Sequence, residues 1–248
     1  MQIGAQFYTI RDFCKTTEDL ALSLKKIADI GYTTVQLSGT CAYDAQWMAQ
    51  QLKQNGLRCV ITHTAPARLT GETEQVIAEH NIIGCDCVGL GSYRFEQPEC
   101  NIDTFLQTYT PVMDAVQAAG KYFMYHNHAF EFDKIDGKPL LQHLAERTDS
   151  AKMGFTLDTY WVQAGGGDPA QWLERLSGRV PCIHLKDYAF GAKMAVVGEG
   201  NINFDRVFEK AEASGTEYML VEQDNCNGED PFDCLRRSYE FLRSRGFR

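Results

Sequence analysis

Residues 121–132 read KYFMYHNHAFEF, an apolar run that closes on two histidines, an asparagine and a glutamate set among aromatics. The aromatic content and length of the run suit a buried strand. Polar side chains are costly in such a strand unless they find partners, so their concentration at its end asks for a reason. Seven other short runs have the same strand character: IGAQFYT from Ile3, TTVQLSG from Thr33, LRCVITHT from Leu57, CDCVGLGSY from Cys85, KMGFTLDTYWV from Lys152, VPCIHLKDY from Val180 and YMLVEQD from Tyr218. Together they make eight candidate strands.

The segments between them, among them TEDLALSLKKIADIG, DAQWMAQQLKQNG, IDTFLQTYTPVMDAVQAAG and FDRVFEKAEASG, space their apolar residues nearer the helical period. Gly31, Gly56, Gly84, Gly120, Gly178 and Gly215 each sit where a helix would end on a left-handed cap. Asp168-Pro169 and Asp230-Pro231 read as cap and first-turn pairs opening two helices. Continuously apolar strands alternating with helices predict an α/β fold with a parallel sheet, and eight units predict a single (β/α)8 TIM barrel, one domain over residues 1–248. An open doubly wound sheet would carry a glycine-rich nucleotide loop after its first strand. GGG at 165–167 and GEG at 198–200 lack that spacing, so no nucleotide cofactor is expected.

The formal charge of -9 and the absence of a lysine and arginine cluster exclude a nucleic-acid partner and favour a small neutral or polar one. The opening MQIGAQFYTIRD has no basic segment followed by an apolar one, and no run suits a membrane span, so a cytoplasmic protein with no membrane partner is expected. Nine cysteines without a C-x-x-C pair read as buried, reduced thiols.

In such a barrel, chemistry gathers where the strands end and the following loops converge. Gln6, Tyr8 and Arg11 follow the first strand, Gln36 lies in the second and His63 in the third. Strand five closes on Asn127, His128 and Glu131, strand six on Asp158, strand seven on His184, Lys186 and Asp187, and strand eight on Glu222 and Asp224. A lone acid at a strand end commonly caps a helix or pairs with a loop arginine. Glu131, Asp158 and Glu222 in one barrel mouth would repel one another unless a cation joined them. Three carboxylates and the His184 imidazole form an oxygen-rich set, which favours Mn2+, with Mg2+, Co2+ or Zn2+ as alternatives. His63 and His128 read equally as hydrogen-bonded core residues or substrate contacts, and His80 and His143, on helices, as surface residues. Strict alternation places His126 and His128 opposite Glu131, so either the strand ends by His128 or a bulge re-aims it.

At these residues the chain resembles the sugar phosphate isomerase/epimerase group of the xylose-isomerase-like TIM-barrel superfamily. The resemblance spans the chain and rests on IGAQFYTIRD, YHNHAFEF, LDTYWVQAGGGDP, IHLKDY, VGEGNINF and LVEQD. It implies one divalent metal held by Glu131, Asp158, His184 and Glu222. It also implies proton removal next to a carbonyl through an enediolate, with Glu131 and Glu222 as base and acid. Lys186, His63, His128, Tyr8, Trp161 and Gln36 become the expected substrate contacts. Ketose 3-epimerases of this group carry a histidine and an arginine where this chain has Trp161 and Phe190, which argues against a simple ketose. The expected activity is therefore isomerisation or epimerisation of a sugar or cyclic polyol ketone, with loss of water or an aglycone from a keto-sugar, 3-keto-glycoside or inosose as the alternative. Six histidines and an acidic surface disfavour an abasic-site endonuclease, and the intact acid set disfavours a barrel that only binds sugar. Pairing of two copies is common in the group.

Overall fold

The computed structural model describes residues 1–95 and 101–248. Eight strands close a parallel barrel in sequence order: β1 Gln2–Gln6, β2 Thr34–Leu37, β3 Arg58–His63, β4 Cys87–Leu90, β5 Tyr122–His126, β6 Met153–Asp158, β7 Cys182–Leu185 and β8 Tyr218–Val221. The main helices of the outer layer are α1 Thr17–Ile30, α2 Ala45–Gln54, α3 Thr73–Ile83, α4 Ile102–Ala118, α5 Leu140–Arg147, α6 Pro169–Arg175, α7 Phe204–Ala213 and α8 Pro231–Ser244. The anticipated stops are in place: Gly31, Gly56, Gly84, Gly120, Gly178 and Gly215 all have positive φ, a conformation without penalty only where no Cβ is present. Asp168 and Asp230 accept backbone N–H bonds from the first turns of α6 and α8, and Pro169 and Pro231 occupy positions that need no donor. No helix among the described residues is long and apolar enough to cross a membrane.

Two apolar compartments result from the alternation of side chains along each strand. Ile3, Phe123, Tyr125, Phe155 and Ile183 face outward into the main core beneath the helices. Val60, Ile61, Cys87, Met124, Cys182 and Leu220 fill the lumen, adjacent Val60 and Ile61 both joining it where a register shift between β2 and β3 interrupts the alternation. Two residues further along the inward rows of β5, β7 and β8 come His126, His184 and Glu222, one layer above this apolar plug. Dry packing below and loops above thus set polar groups at one level. The described cysteines are free, and most are buried. His80 is not the surface residue expected: it is buried, with Nδ1 at 2.7 Å from Val76 O and Nε2 at 2.8 Å from Thr62 Oγ1, so it ties α3 to β3.

Close strand packing beneath the site leaves no room for a side chain on β4 at Gly89. A Cβ there would lie 2.2 Å from the Thr62 carbonyl oxygen and 3.1 Å from the His63 ring. Gly89→Ala is expected to destabilise the barrel by about 1–3 kcal/mol through overpacking. Urea unfolding measures this, and an unchanged midpoint would show that the β3–β4 pair can spread.

Candidate metal centre and substrate cavity

His126, Asp158, His184 and Glu222 each offer one donor atom within 4.8 Å of the others, and all four residues are buried. They end four consecutive strands, which hold them from the backbone outward. Asp158 caps the short helix Thr159–Ala164, with Oδ1 accepting the Trp161 N–H at 2.9 Å, and Asn127 Oδ1 accepts the Asp158 N–H at 2.9 Å. Gln6 Nε2 donates to Glu222 Oε1 at 2.7 Å. One oxygen of each acid is thereby fixed, and the other, Asp158 Oδ2 or Glu222 Oε2, turns into the cluster.

The imidazoles are oriented from behind. His126 Nδ1 stands 3.0 Å from the Gly91 carbonyl, a pure acceptor, so this nitrogen carries the proton and Nε2 directs its lone pair at Asp158 Oδ2, 3.3 Å away. His184 Nε2 donates to Gln36 Oε1 at 2.7 Å, leaving Nδ1 3.0 Å from Glu222 Oε2 and 3.7 Å from Asp158 Oδ2. Neither His184 Nδ1 nor Glu222 Oε2 makes a well-angled hydrogen bond among the described residues. The His126 Nε2 lone pair aimed at Asp158 repels it unless a cation lies between them, and His184 Nδ1 can exchange a proton for a metal ion, so this donor set suits a divalent metal.

Lys186 supplies positive charge at the same place. Its Nζ lies 3.0 Å from Asp158 Oδ2, 2.8 Å from Glu222 Oε2 and 3.0 Å from Asp224 Oδ2. Burial would push the carboxyl groups of Asp158 and Glu222 up, but Lys186 and the histidines hold both below the usual range. Burial and the neighbouring Glu222 push Asp224 up, to about 6. For His184, burial lowers the pKa, yet Glu222 and Asp158 outweigh it and bring the value to about 9. His63 and His128 are held neutral by burial, His128 at about 3.

A cavity of about 810 Å³ opens above this centre. Glu222, Asp224, Lys186 and His126 line its floor, while His128, Trp161, His63, Ser38, Tyr8 and Tyr93 contribute to its walls. Three buried ring nitrogens, His63 Nε2, His128 Nδ1 and Trp161 Nε1, have no hydrogen-bond partner among the described residues. His128 stacks on Phe130 at 5.4 Å and meets the Trp161 ring at 5.4 Å. The wall therefore combines aromatic faces with unsatisfied donors and acceptors, which suits a hydroxyl-rich ring.

Of the residues expected from sequence, Asp158, His184 and Glu222 come together, and Lys186, His63, His128, Tyr8 and Trp161 line or border the cavity. Glu131 does not join the cluster. Strand β5 ends at His126, and the chain passes into the 3-10 turn Phe130–Phe132. There the buried Glu131 carboxylate accepts from the Tyr125 hydroxyl and, at 2.8 Å, from the His128 N–H. Tyr125 belongs to the outward row of β5, so Glu131 is directed toward the layer between barrel and helices, and His126 takes the place expected for it. Gln36, expected to touch substrate, instead sits behind His184. Phe190 is 91% exposed on the ribbon formed by Asp187–Ala189 and Lys193–Ala195 and does not line the cavity. Asp187 braces the same loop, accepting backbone N–H bonds from Tyr188, Gly198, Gly200 and Ile202.

His126 was legible in principle: Met124 and His126 share the inward row, and ending the strand at His126 would have selected it. The position of Glu131 yields an expectation of its own. Glu131→Gln should leave bound metal unchanged while lowering stability by about 1–3 kcal/mol, because the buried carboxylate that accepts from the Tyr125 hydroxyl and the His128 N–H is lost. Metal content and thermal unfolding read the two effects separately, and loss of metal would return Glu131 to the ligand set.

The fold is a (β/α)8 barrel with a buried side-chain cluster at its mouth that could hold a metal ion. A family model described as xylose isomerase-like TIM barrel matches residues 24–245, and the chain belongs to that family. Among solved structures, a sugar phosphate isomerase/epimerase from Parabacteroides distasonis ATCC 8503 superimposes with a TM-score of 0.82 at 21% identity, covering 98% of this chain and 93% of that one. An L-ribulose 3-epimerase gives 0.76 at 16% identity, with 98% and 94% covered. A probable 3-DHS dehydratase from Bacillus anthracis gives 0.73 at 14% identity, with 99% and 100% covered. No curated protein matches in sequence.

Proposed function

We propose that this barrel is a divalent-metal-dependent enzyme that removes a proton from the carbon next to a carbonyl of a sugar or cyclic polyol ketone and returns it as an isomerase or epimerase. The observation that carries this reading is the buried cluster of His126, Asp158, His184 and Glu222 under a cavity walled by aromatic rings and unpartnered ring nitrogens. A divalent ion there would act as a Lewis acid on neighbouring carbonyl and hydroxyl oxygens. Two imidazoles and two carboxylates are a softer set than three carboxylates and one imidazole, which moves the preference away from Mg2+ toward Mn2+, Co2+ or Zn2+.

Glu222 is the base in this reading. Oε2 turns into the metal cluster, so Oε1, which accepts from the cavity-lining Gln6, would take the proton. Neutral His63 and His128 and the Trp161 N–H position the substrate hydroxyls, and the Tyr8 and Trp161 rings cover its apolar face. Lys186 and Asp224 form the ion pair beside the reacting carbon, able to hand a proton back.

One observation favours a lyase as the second reading. Epimerisation needs an acid or base on each face of the enediolate, but Glu222 and Asp224 both stand at the end of β8, and Glu131 is turned away. With the acids on one side, a proton taken by Glu222 and a leaving oxygen protonated nearby give elimination. Deuterium uptake in D2O, followed by mass spectrometry with metal-loaded protein and a panel of ketoses, ketose phosphates, inososes and 3-keto-glycosides, tests both. A one-dalton gain on an intact skeleton supports the isomerase or epimerase, whereas loss of water or an aglycone selects the lyase. No change with any compound, despite bound metal, would remove Glu222 from its assigned role.

A further inference from the structure

The ammonium of Lys186 occupies a place that the metal reading requires for another cation. Asp158 Oδ2 and Glu222 Oε2 are the oxygens that face His126 and His184, since their companions are held by the Trp161 N–H and Gln6. Lys186 Nζ contacts the same two oxygens, at 3.0 and 2.8 Å, with its side chain 1% exposed. A divalent ion sharing both oxygens would stand within a few ångströms of the ammonium, where like charges repel strongly in a dry site.

We propose that Lys186 is a built-in counter-cation that holds the acids of this centre until an entering divalent ion displaces it toward Asp224 and the cavity. The inference rests on the metal-dependent reading above. A route for the displacement is present. Asp224 already holds Nζ at 3.0 Å, lines the cavity and has a second oxygen, Oδ1, without a hydrogen bond among the described residues. The Trp161 ring, 5.4 Å from Nζ, offers a π-face along the way. Two consequences follow from this geometry. The metal-free barrel keeps its buried acids paired, and metal entry delivers a cation to the cavity wall where substrate oxygens lie.

Calorimetric titration of the full chain with Mn2+ alone tests the exchange. Lys186→Met should bind Mn2+ at least about tenfold more tightly than the wild type, because a competing charge is gone. Its metal-free form should melt earlier, and its Mn2+-induced rise in Tm should exceed that of the wild type. Lys186→Arg, which keeps the charge, should show no gain in affinity. Mn2+ binding by the wild type with equal or weaker binding by Lys186→Met overturns the inference and leaves the metal reading standing. Binding by Lys186→Met alone supports the inference in its strongest form, and binding by neither protein overturns both. If Lys186→Met does not fold, acetylation of wild-type Lys186, read by peptide mass spectrometry, should rise severalfold on adding Mn2+. An unchanged rate overturns the displacement.

Discussion

Glu222→Gln is expected to lower turnover by about 10²–10⁴-fold, the range for a lost general base, while the barrel stays folded. The size follows from its position. Glu222 is the acid of the four-residue cluster that also lines the cavity, and Gln6, which lines it too, orients Oε1 while Oε2 turns into the cluster. The amide keeps the shape and can keep a contact with Gln6, but it cannot accept a proton at neutral pH. The variant removes a negative charge beside Lys186 and His184, so metal content must be measured with it. Loss of turnover at full metal occupancy, together with loss of solvent deuterium incorporation, supports the base assignment. Retained deuterium incorporation would remove Glu222 from that role.

Metal binding should depend most steeply on Asp158 and His126. Asp158→Asn retains an N-cap for Thr159–Ala164, since asparagine caps about as well as aspartate, so its effect reads charge and ligation rather than loss of the helix start. Affinity for Mn2+ should fall by about 100-fold or more, beyond the range for changes in outer partners. His126→Ala should do the same while leaving Glu131 and its hydrogen bonds from Tyr125 and His128 in place. Metal analysis of dialysed protein and calorimetry distinguish these outcomes. Unchanged occupancy in His126→Ala, with loss in Glu131→Gln, would reverse the ligand assignment made from the geometry.

The alternation of apolar strands with helical spacing was enough to read the eight-stranded barrel, and the glycine stops and Asp-Pro starts marked its boundaries. Three cluster members were legible for the same reason: Asp158, His184 and Glu222 end strands whose inward rows continue from residues such as Cys182 and Leu220, so period two carries them to the mouth. His126 was missed because the HNHAFEF stretch supports two endings. If the strand continues, alternation sets the histidines against Glu131. If it stops at His126, that histidine enters the cluster and the chain is free to turn.

Sequence by itself determined the class of fold, the level at which polar groups collect and the kinds of side chain present, because these depend on local period and on which residues tolerate burial. Tertiary structure alone decided where β5 ends, that Glu131 turns to Tyr125, that Gln36 stands behind His184, and that Lys186 lies among three acids. Each of those outcomes is a choice among partners distant in the chain. Gln36 and His184 are 148 positions apart, and Gln6 and Glu222 are 216 apart. Such choices are settled by the competition for hydrogen bonds and charge inside a closed barrel, where buried polar groups from distant strands draw on the same few partners.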